Sequence, residues 1–280
     1  MSIKKFISKR SVDSNTIGGL ALVFAAGRGV AFFLLLILFV LGYYYMKSAE
    51  RGKRYPIRRI RAFEAVEEAV GRAVEMGRPI HFTFGFGNLY SSVAPQYVAG
   101  LAVLSYVARL AGKYGARLIA TFGVPEAIPI VEELVREGYR SAGRPELYKP
   151  EDNVRYLTNM QFAYASAVQA TLIRERPGAN IMVGPFYAES LIFAEAGSWT
   201  GALQIAGTAR ETQIPFFVLV CDYVFIGEEI FAAAALASGD PAIIATIRSQ
   251  DVGKLIALAL IILGLILLPL GLNLGNFLFI

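Results

Sequence analysis

The sequence predicts an α/β protein: one doubly wound, Rossmann-like domain on a mainly parallel five-stranded sheet, flanked by two transmembrane helices. Two observations carry this. Through the middle of the chain, short apolar runs recur, each followed by a turn and an Ala-rich segment of helical length. Apolar runs of this kind suit strands buried on both faces, and intervening helices imply right-handed crossovers in one parallel sheet. The second observation is where the hydrophobic excess lies: 55% of residues are hydrophobic, and residues 29–46 and 255–280 contain no charge. At about 1.5 Å per residue, roughly 20 apolar residues cross a hydrocarbon core of about 30 Å.

The elements follow in chain order. Residues 1–28 form a tail made basic by Lys4, Lys5, Lys9 and Arg10, with an interfacial helix expected over 17–27 and Arg28 bounding the first span. That span, 29–46, is not a secretory signal: the basic cluster lies too far upstream, and Tyr43, Tyr44 and Tyr45 stand where cleavage needs small residues. Tyrosines at that position suit the membrane interface. Residues 47–79 form a basic linker and a surface helix over 57–77, with Ile60, Phe63, Val66, Val70 and Val74 at helical spacing, Glu68 placed to pair with Arg72, and Gly77 and Pro79 as stop signals.

The α/β domain occupies 80–240, with strands expected at 80–84, 118–122, 154–157, 181–183 and 214–220. Between them, Ala-rich helices are expected around 99–111, 163–170 and 194–206. Pro125 suits a first helical position and Glu126 complements the helix dipole; Asn159 is a candidate cap for a helix over 160–174, which Arg176, Pro177 and Gly178 end. The polar stretch 141–153 is the longest loop. A short helix is expected at 228–237. Asp240 and Pro241 then open a helix that stays compatible to Leu268, about 42 Å long, and continues into the second span within 241–280.

Lys and Arg near the spans set an orientation. Lys47, Arg51, Lys53, Arg54, Arg58, Arg59 and Arg61 follow the first span, Arg248 and Lys254 precede the second, and none follows it. This pattern places the α/β domain in the cytoplasm and both termini outside a cell membrane crossed twice. The net charge of +5 arises beside the first span and not on a nucleic-acid recognition motif, so it points to the lipid bilayer as partner, at about 1 kcal/mol per basic residue near an anionic surface, and away from nucleic acid. The one cysteine, Cys221, permits no intrachain disulfide and reads as an inert thiol.

Chemistry is sparsely provided. The one histidine, His81, stands at the start of the first strand, away from the carboxyl ends where sites form in open α/β sheets. With one His and one Cys, neither a Cys/His zinc site nor a Ser-His-Asp triad can be assembled. Gly112-Lys113 precedes Tyr114 and Gly253-Lys254 precedes Leu255, so no Walker A is present, and no G-x-S-x-G elbow occurs. What remains is a crevice at the strand ends. Gly85, Gly87 and Asn88 form a partial glycine fingerprint, readable either as a phosphate loop or as a tight turn; Ser91 and Ser92 follow. Gly123, Asn159, Gly184 and Asp222 stand at the other expected strand ends, making all seven candidate ligand-binding residues for a small molecule. Glu126 and Glu189 read as dipole complements, whereas Asp222 directly after an expected strand has no helical duty. No cofactor or resident metal is indicated.

The Ala-rich helices are apolar on most faces, which predicts exposed patches and a homo-oligomer. The Gly85-Phe86-Gly87-Asn88 turn and the 226–230 stretch Ile-Gly-Glu-Glu-Ile resemble a family of uncharacterised prokaryotic two-span membrane proteins. That resemblance implies no activity and no functional residue. The sequence therefore leads to a membrane-anchored homo-oligomeric scaffold without identifiable catalysis, with two alternatives at the crevice: a small-ligand or nucleotide sensor, and a metal-assisted enzyme using carboxylates such as Asp222.

Overall fold

A computed structural model describes residues 29–270. The basic tail, the interfacial helix expected at 17–27 and the last residues of the second span, 271–280, lie outside the described residues. The chain divides into two compact units, Met46–Arg248 and the segments flanking it.

Two helices that enter the flanking unit, α1 (Gly29–Glu50) and α10 (Pro241–Leu267), are long and apolar enough to cross a membrane. A Cβ built on Gly253 would come within 2.9 Å of Leu38 Cδ2, and one on Gly42 within 3.8 Å of Ser249 Oγ. Positions falling along α1 as they rise along α10 mean an antiparallel pair. Small residues at the contact let the helices approach closely. The large side chains, among them Leu35, Phe39, Ile261 and Leu265, point outward.

In the larger unit, six strands form one all-parallel sheet: β1 (Ile80–Thr83), β2 (Leu118–Phe122), β3 (Val154–Tyr156), β4 (Ala179–Val183), β5 (Leu203–Thr208) and β6 (Tyr223–Ile226), in spatial order β3-β2-β1-β4-β5-β6. The helices of this unit are α2 (Arg61–Glu75), α3 (Ala94–Tyr114), α4 (Ile128–Ser141), α5 (Pro150–Asn153), α6 (Gln161–Glu175), α7 (Glu189–Thr200), α8 (Ile214–Val220) and α9 (Glu229–Ser238), with α10 beginning at Pro241. One sheet face and helices α2, α3, α4 and α9 enclose the larger hydrophobic core; α6, α7 and α8 cover the other face. Right-handed crossovers require this change of side, because the strand order runs outward from β1 in one direction and from β4 in the other.

The two sheet faces differ in chemistry. Along β1, Ile80 and Phe82 enter the large core while His81 and Thr83 face α6 and α7. Those buried polar side chains satisfy one another. His81 Nδ1 lies 2.8 Å from Asn180 Oδ1 and Nε2 2.9 Å from Thr121 Oγ1. Asn180 Nδ2 donates to Gln204 Oε1 at 3.0 Å, and Gln204 Nε2 donates to Ala194 O in α7 at 2.8 Å. Since Asn180 Oδ1 can only accept, His81 carries its proton on Nδ1 and accepts from the Thr121 hydroxyl at Nε2. Four strands are thereby tied in register by side chains as well as by the ladder.

Several expectations are corrected here. The sheet has six strands where five were expected. The 214–220 run is helix α8 and not a strand: Pro215 fits the first turn of a helix and would interrupt a central ladder, and a short apolar run is compatible with either state. The helix expected over 194–206 ends at Thr200, where Gly201 adopts φ 71°, and the following residues form β5. Helix α2 turns one face onto the sheet, burying Ala62, Ala65, Val66, Ala69, Val70 and Ala73, and Val74 of the expected stripe is turned to solvent. Asn159 does not cap α6; Met160 occupies that position, and Thr158 Oγ1 accepts its N–H at 3.2 Å. Asp240 does cap α10, its Oδ1 accepting from Ala242 N at 2.8 Å.

Candidate functional site

A cavity of about 550 Å³ opens at the carboxyl ends of β1 to β4, walled by the four loops that leave those strands. Four of the seven expected residues line it: Gly87 and Asn88 after β1, Gly123 after β2, and Asn159 between β3 and α6. Ser91 and Glu126 line it as well. Sequence reasoning missed the aromatic walls, Phe86 and Tyr187, and the amide of Gln161.

The glycines are explained by chain packing. Gly85 has φ 74°, and a Cβ there would strike Pro185 O and the Phe186 ring. A Cβ on Gly184 would strike Phe84 O, so the loops leaving β1 and β4 nest directly against each other. At Gly87 the obstacles are Pro185 Cγ, at 2.8 Å, and Val93 Cγ2, at 3.1 Å; at Gly123 the obstacle is Thr158 O, at 2.6 Å. Each missing side chain makes room for protein. Of the two readings of the Gly-Phe-Gly turn, tight packing has the geometry behind it.

Glu189 fastens the floor. It is buried at the first position of α7, its Oε1 accepts from Phe86 N at 3.1 Å and Tyr187 N at 3.0 Å, and its Oε2 accepts from Gln161 Nε2 at 2.7 Å. One carboxylate thus joins three of the loops around the cavity. Asn88 is half engaged: its Oδ1 accepts from Tyr90 N at 3.0 Å, leaving Nδ2 as a donor. Behind Tyr187 stands Arg210, just after β5, with Nη2 donating to Tyr187 Oη at 2.6 Å and its guanidinium carbon 3.7 Å from the ring centre. Tyr97, fully buried on α3 and stacked on Phe84, has a phenol pushed upward by burial, with smaller contributions from Tyr164 and Glu126; its Oη has no hydrogen-bond partner among the described residues.

Asp222 lies at the opposite edge of the sheet. Because 214–220 is a helix returning to the amino ends, Asp222 precedes β6, and its Oδ2 accepts from Gln204 N at 2.7 Å. It therefore serves the fold, and this one of the carboxylates suggested for a metal-assisted reaction lies away from the crevice. Beside it, burial and the Asp222 charge push the Cys221 thiol up to about 12, so it stays protonated and unreactive at neutral pH.

The sequence profile of DUF6754, a domain of unknown function, matches residues 21–279. The chain belongs to this family. The match takes in every described element of the DUF6754 fold, crevice and apolar helices alike. No curated protein and no solved structure matches the chain significantly.

Proposed function

We propose that this chain is a membrane-tethered binding module whose small-molecule ligand occupies the strand-end crevice. The observation that carries the reading is convergence: four loops from four adjacent strands enclose one cavity of about 550 Å³, a volume suited to a small ligand, lined by two aromatic rings and several side-chain amides. The strand order is that of doubly wound, Rossmann-like domains, in which ligands sit outside the carboxyl ends of the strands near the reversal of order. The two apolar helices support attachment to a lipid bilayer, and the basic residues between Lys47 and Arg61 support a cytoplasmic domain with external termini. Thermal unfolding of the full chain in detergent against a metabolite and nucleotide panel tests the reading. A ligand at about 100 times its Kd adds about 2.7 kcal/mol of stability, which Asn159→Leu should reduce by obstructing the cavity. A panel that leaves the wild-type midpoint unmoved overturns it.

A second reading has an observation of its own. Helices α6, α7 and α8 expose large apolar side chains: Phe162 is 74% accessible, Trp199 63%, and Leu219 80%, with Phe216 and Val218 beside it. Such a face supports a homo-oligomeric scaffold. Mass measurement of the detergent-solubilised chain should give a multiple of the protomer that Leu219→Glu dissociates; a monomeric wild type sinks it.

A further inference from the structure

The crevice carries its own selectivity. In β–α turns that hold phosphate, free backbone N–H groups at the start of the following helix point at the anion. In α3 these groups are engaged: Ala94 N donates to Ser91 O at 3.0 Å, while Gln96 N and Tyr97 N donate to Val93 O at 3.0 and 3.3 Å. Pro95, between them, has no N–H. In the loop before the helix, Phe86 N is held by Glu189 and Tyr90 N by Asn88. Nor does charge favour an anion. Among the described residues lining the cavity none is Lys, Arg or His, and Glu126 supplies a carboxylate. Glu189 adds a second carboxylate beneath the floor, and the nearby Arg210 is held on Tyr187.

What faces the cavity is a set of donors and acceptors in mixed company. Asn88 Nδ2 is a donor; Gln161 Oε1 is an acceptor, its Nε2 being held by Glu189; the Asn159 side chain makes no hydrogen bond among the described residues and offers both ends of its amide; Ser91 Oγ donates to Asn88 O at 3.3 Å and keeps its acceptor capacity, and Glu126 adds two acceptor oxygens. Hydroxyl groups, which donate and accept, match this set. A phosphate only accepts, and an ammonium only donates.

Resting on the binding reading above, we infer that the crevice recognises an uncharged polyhydroxylated ligand, a sugar or the sugar of a nucleoside, and discriminates against phosphorylated forms. Glu126 accepts from ligand hydroxyls, and the Phe86 and Tyr187 rings supply the apolar walls.

The test is calorimetric titration of the full chain in detergent with matched pairs: adenosine and AMP, uridine and UMP, ribose and ribose 5-phosphate, glucose and glucose 6-phosphate, with putrescine as an amine probe. In at least one pair the uncharged member should bind roughly tenfold or more tightly than its phosphorylated partner, as repulsion by a nearby carboxylate requires. Glu126→Gln, at an exposed site with no ion pair to lose among the described residues, should narrow that ratio at a cost to the thermal midpoint of the free protein no larger than that of one helix-dipole contact. Phosphorylated members binding as tightly or more tightly, or putrescine binding where the sugars and nucleosides do not, overturns the inference and leaves the crevice as a binding site. If none of these probes binds, the inference fails; if the wider panel also leaves the midpoint unmoved, the binding reading fails with it.

Discussion

At the scale of single residues, His81 illustrates how a ionisable group can be structural. It is 1% exposed on the polar side of the sheet, with Asn180 Oδ1 and Thr121 Oγ1 as partners of its two ring nitrogens. Burial, aided by the charge of Arg155 and opposed by the Asn180 hydrogen bond, lowers its pKa to about 4. The folded value lies below the unfolded one of about 6.5, so the unfolded chain binds the proton first as pH falls. The stability associated with neutral His81 is therefore complete above about pH 6.5 and is lost progressively down to about pH 4, amounting to about 3 kcal/mol across that window. Denaturant unfolding in detergent at pH 7 and pH 4.5 should show a steeper loss for the wild type than for His81→Gln. Parallel pH dependences would remove the histidine from the account. This role was legible in the sequence, because the second position of a central parallel strand is remote from the carboxyl-end crevice. Its partners were not, since Thr121, Asn180 and Gln204 become neighbours only once register is fixed.

At the scale of elements, close helix packing rests on missing side chains. Helix α4 meets α3 where a Cβ on Gly138 would collide with Ala108 Cβ and come within 2.7 Å of the Ala108 carbonyl carbon. Gly138→Ala should stabilise an isolated helix by about 1 kcal/mol, yet the crowding forces the helices apart at a cost of about 2 kcal/mol or more. The net sign decides between propensity and packing, and a lowered unfolding midpoint is expected; a raised one would show that the contact is loose. The same competition between local signal and tertiary context separates what the sequence revealed from what it hid. Strands β1, β2, β3 and β4 were readable from apolar runs beside Gly and Pro. Strand β5, Leu-Gln-Ile-Ala-Gly-Thr, was hidden because its small and polar residues read as more Ala-rich helix, although the Gly201 stop precedes it. Helix α8 was hidden for the converse reason. Ile-Pro-Phe-Phe-Val-Leu-Val has the composition of a buried strand, but Phe217 alone is buried there. Misreading α8 also carried Asp222 to the wrong edge of the sheet, whereas Gly87, Asn88, Gly123 and Asn159 were found because they follow correctly read strands.

At the scale of the whole molecule, the charges beside α1 bear on the compartment that the α/β domain occupies. Arg51 and Arg54 are exposed directly after α1 and form no ion pair among the described residues; Lys53 contacts the Tyr55 ring at 5.3 Å. Moving such charges across a bilayer is costly, and basic residues flanking spans remain predominantly cytoplasmic. The protein supplies a favourable background for labelling, because its one thiol, Cys221, is pushed up to about 12 and reacts poorly at neutral pH. A cysteine introduced at exposed Glu211, on the connection from β5 to α8, should react with a membrane-impermeant maleimide only after the membrane is permeabilised. Arg54→Cys should behave in the same way, since it lies in the same compact unit. Labelling of both in intact cells would place the crevice outside and show that the basic linker does not govern insertion. Labelling of one site but not the other would break the single-domain topology and require an additional crossing between residues 54 and 211.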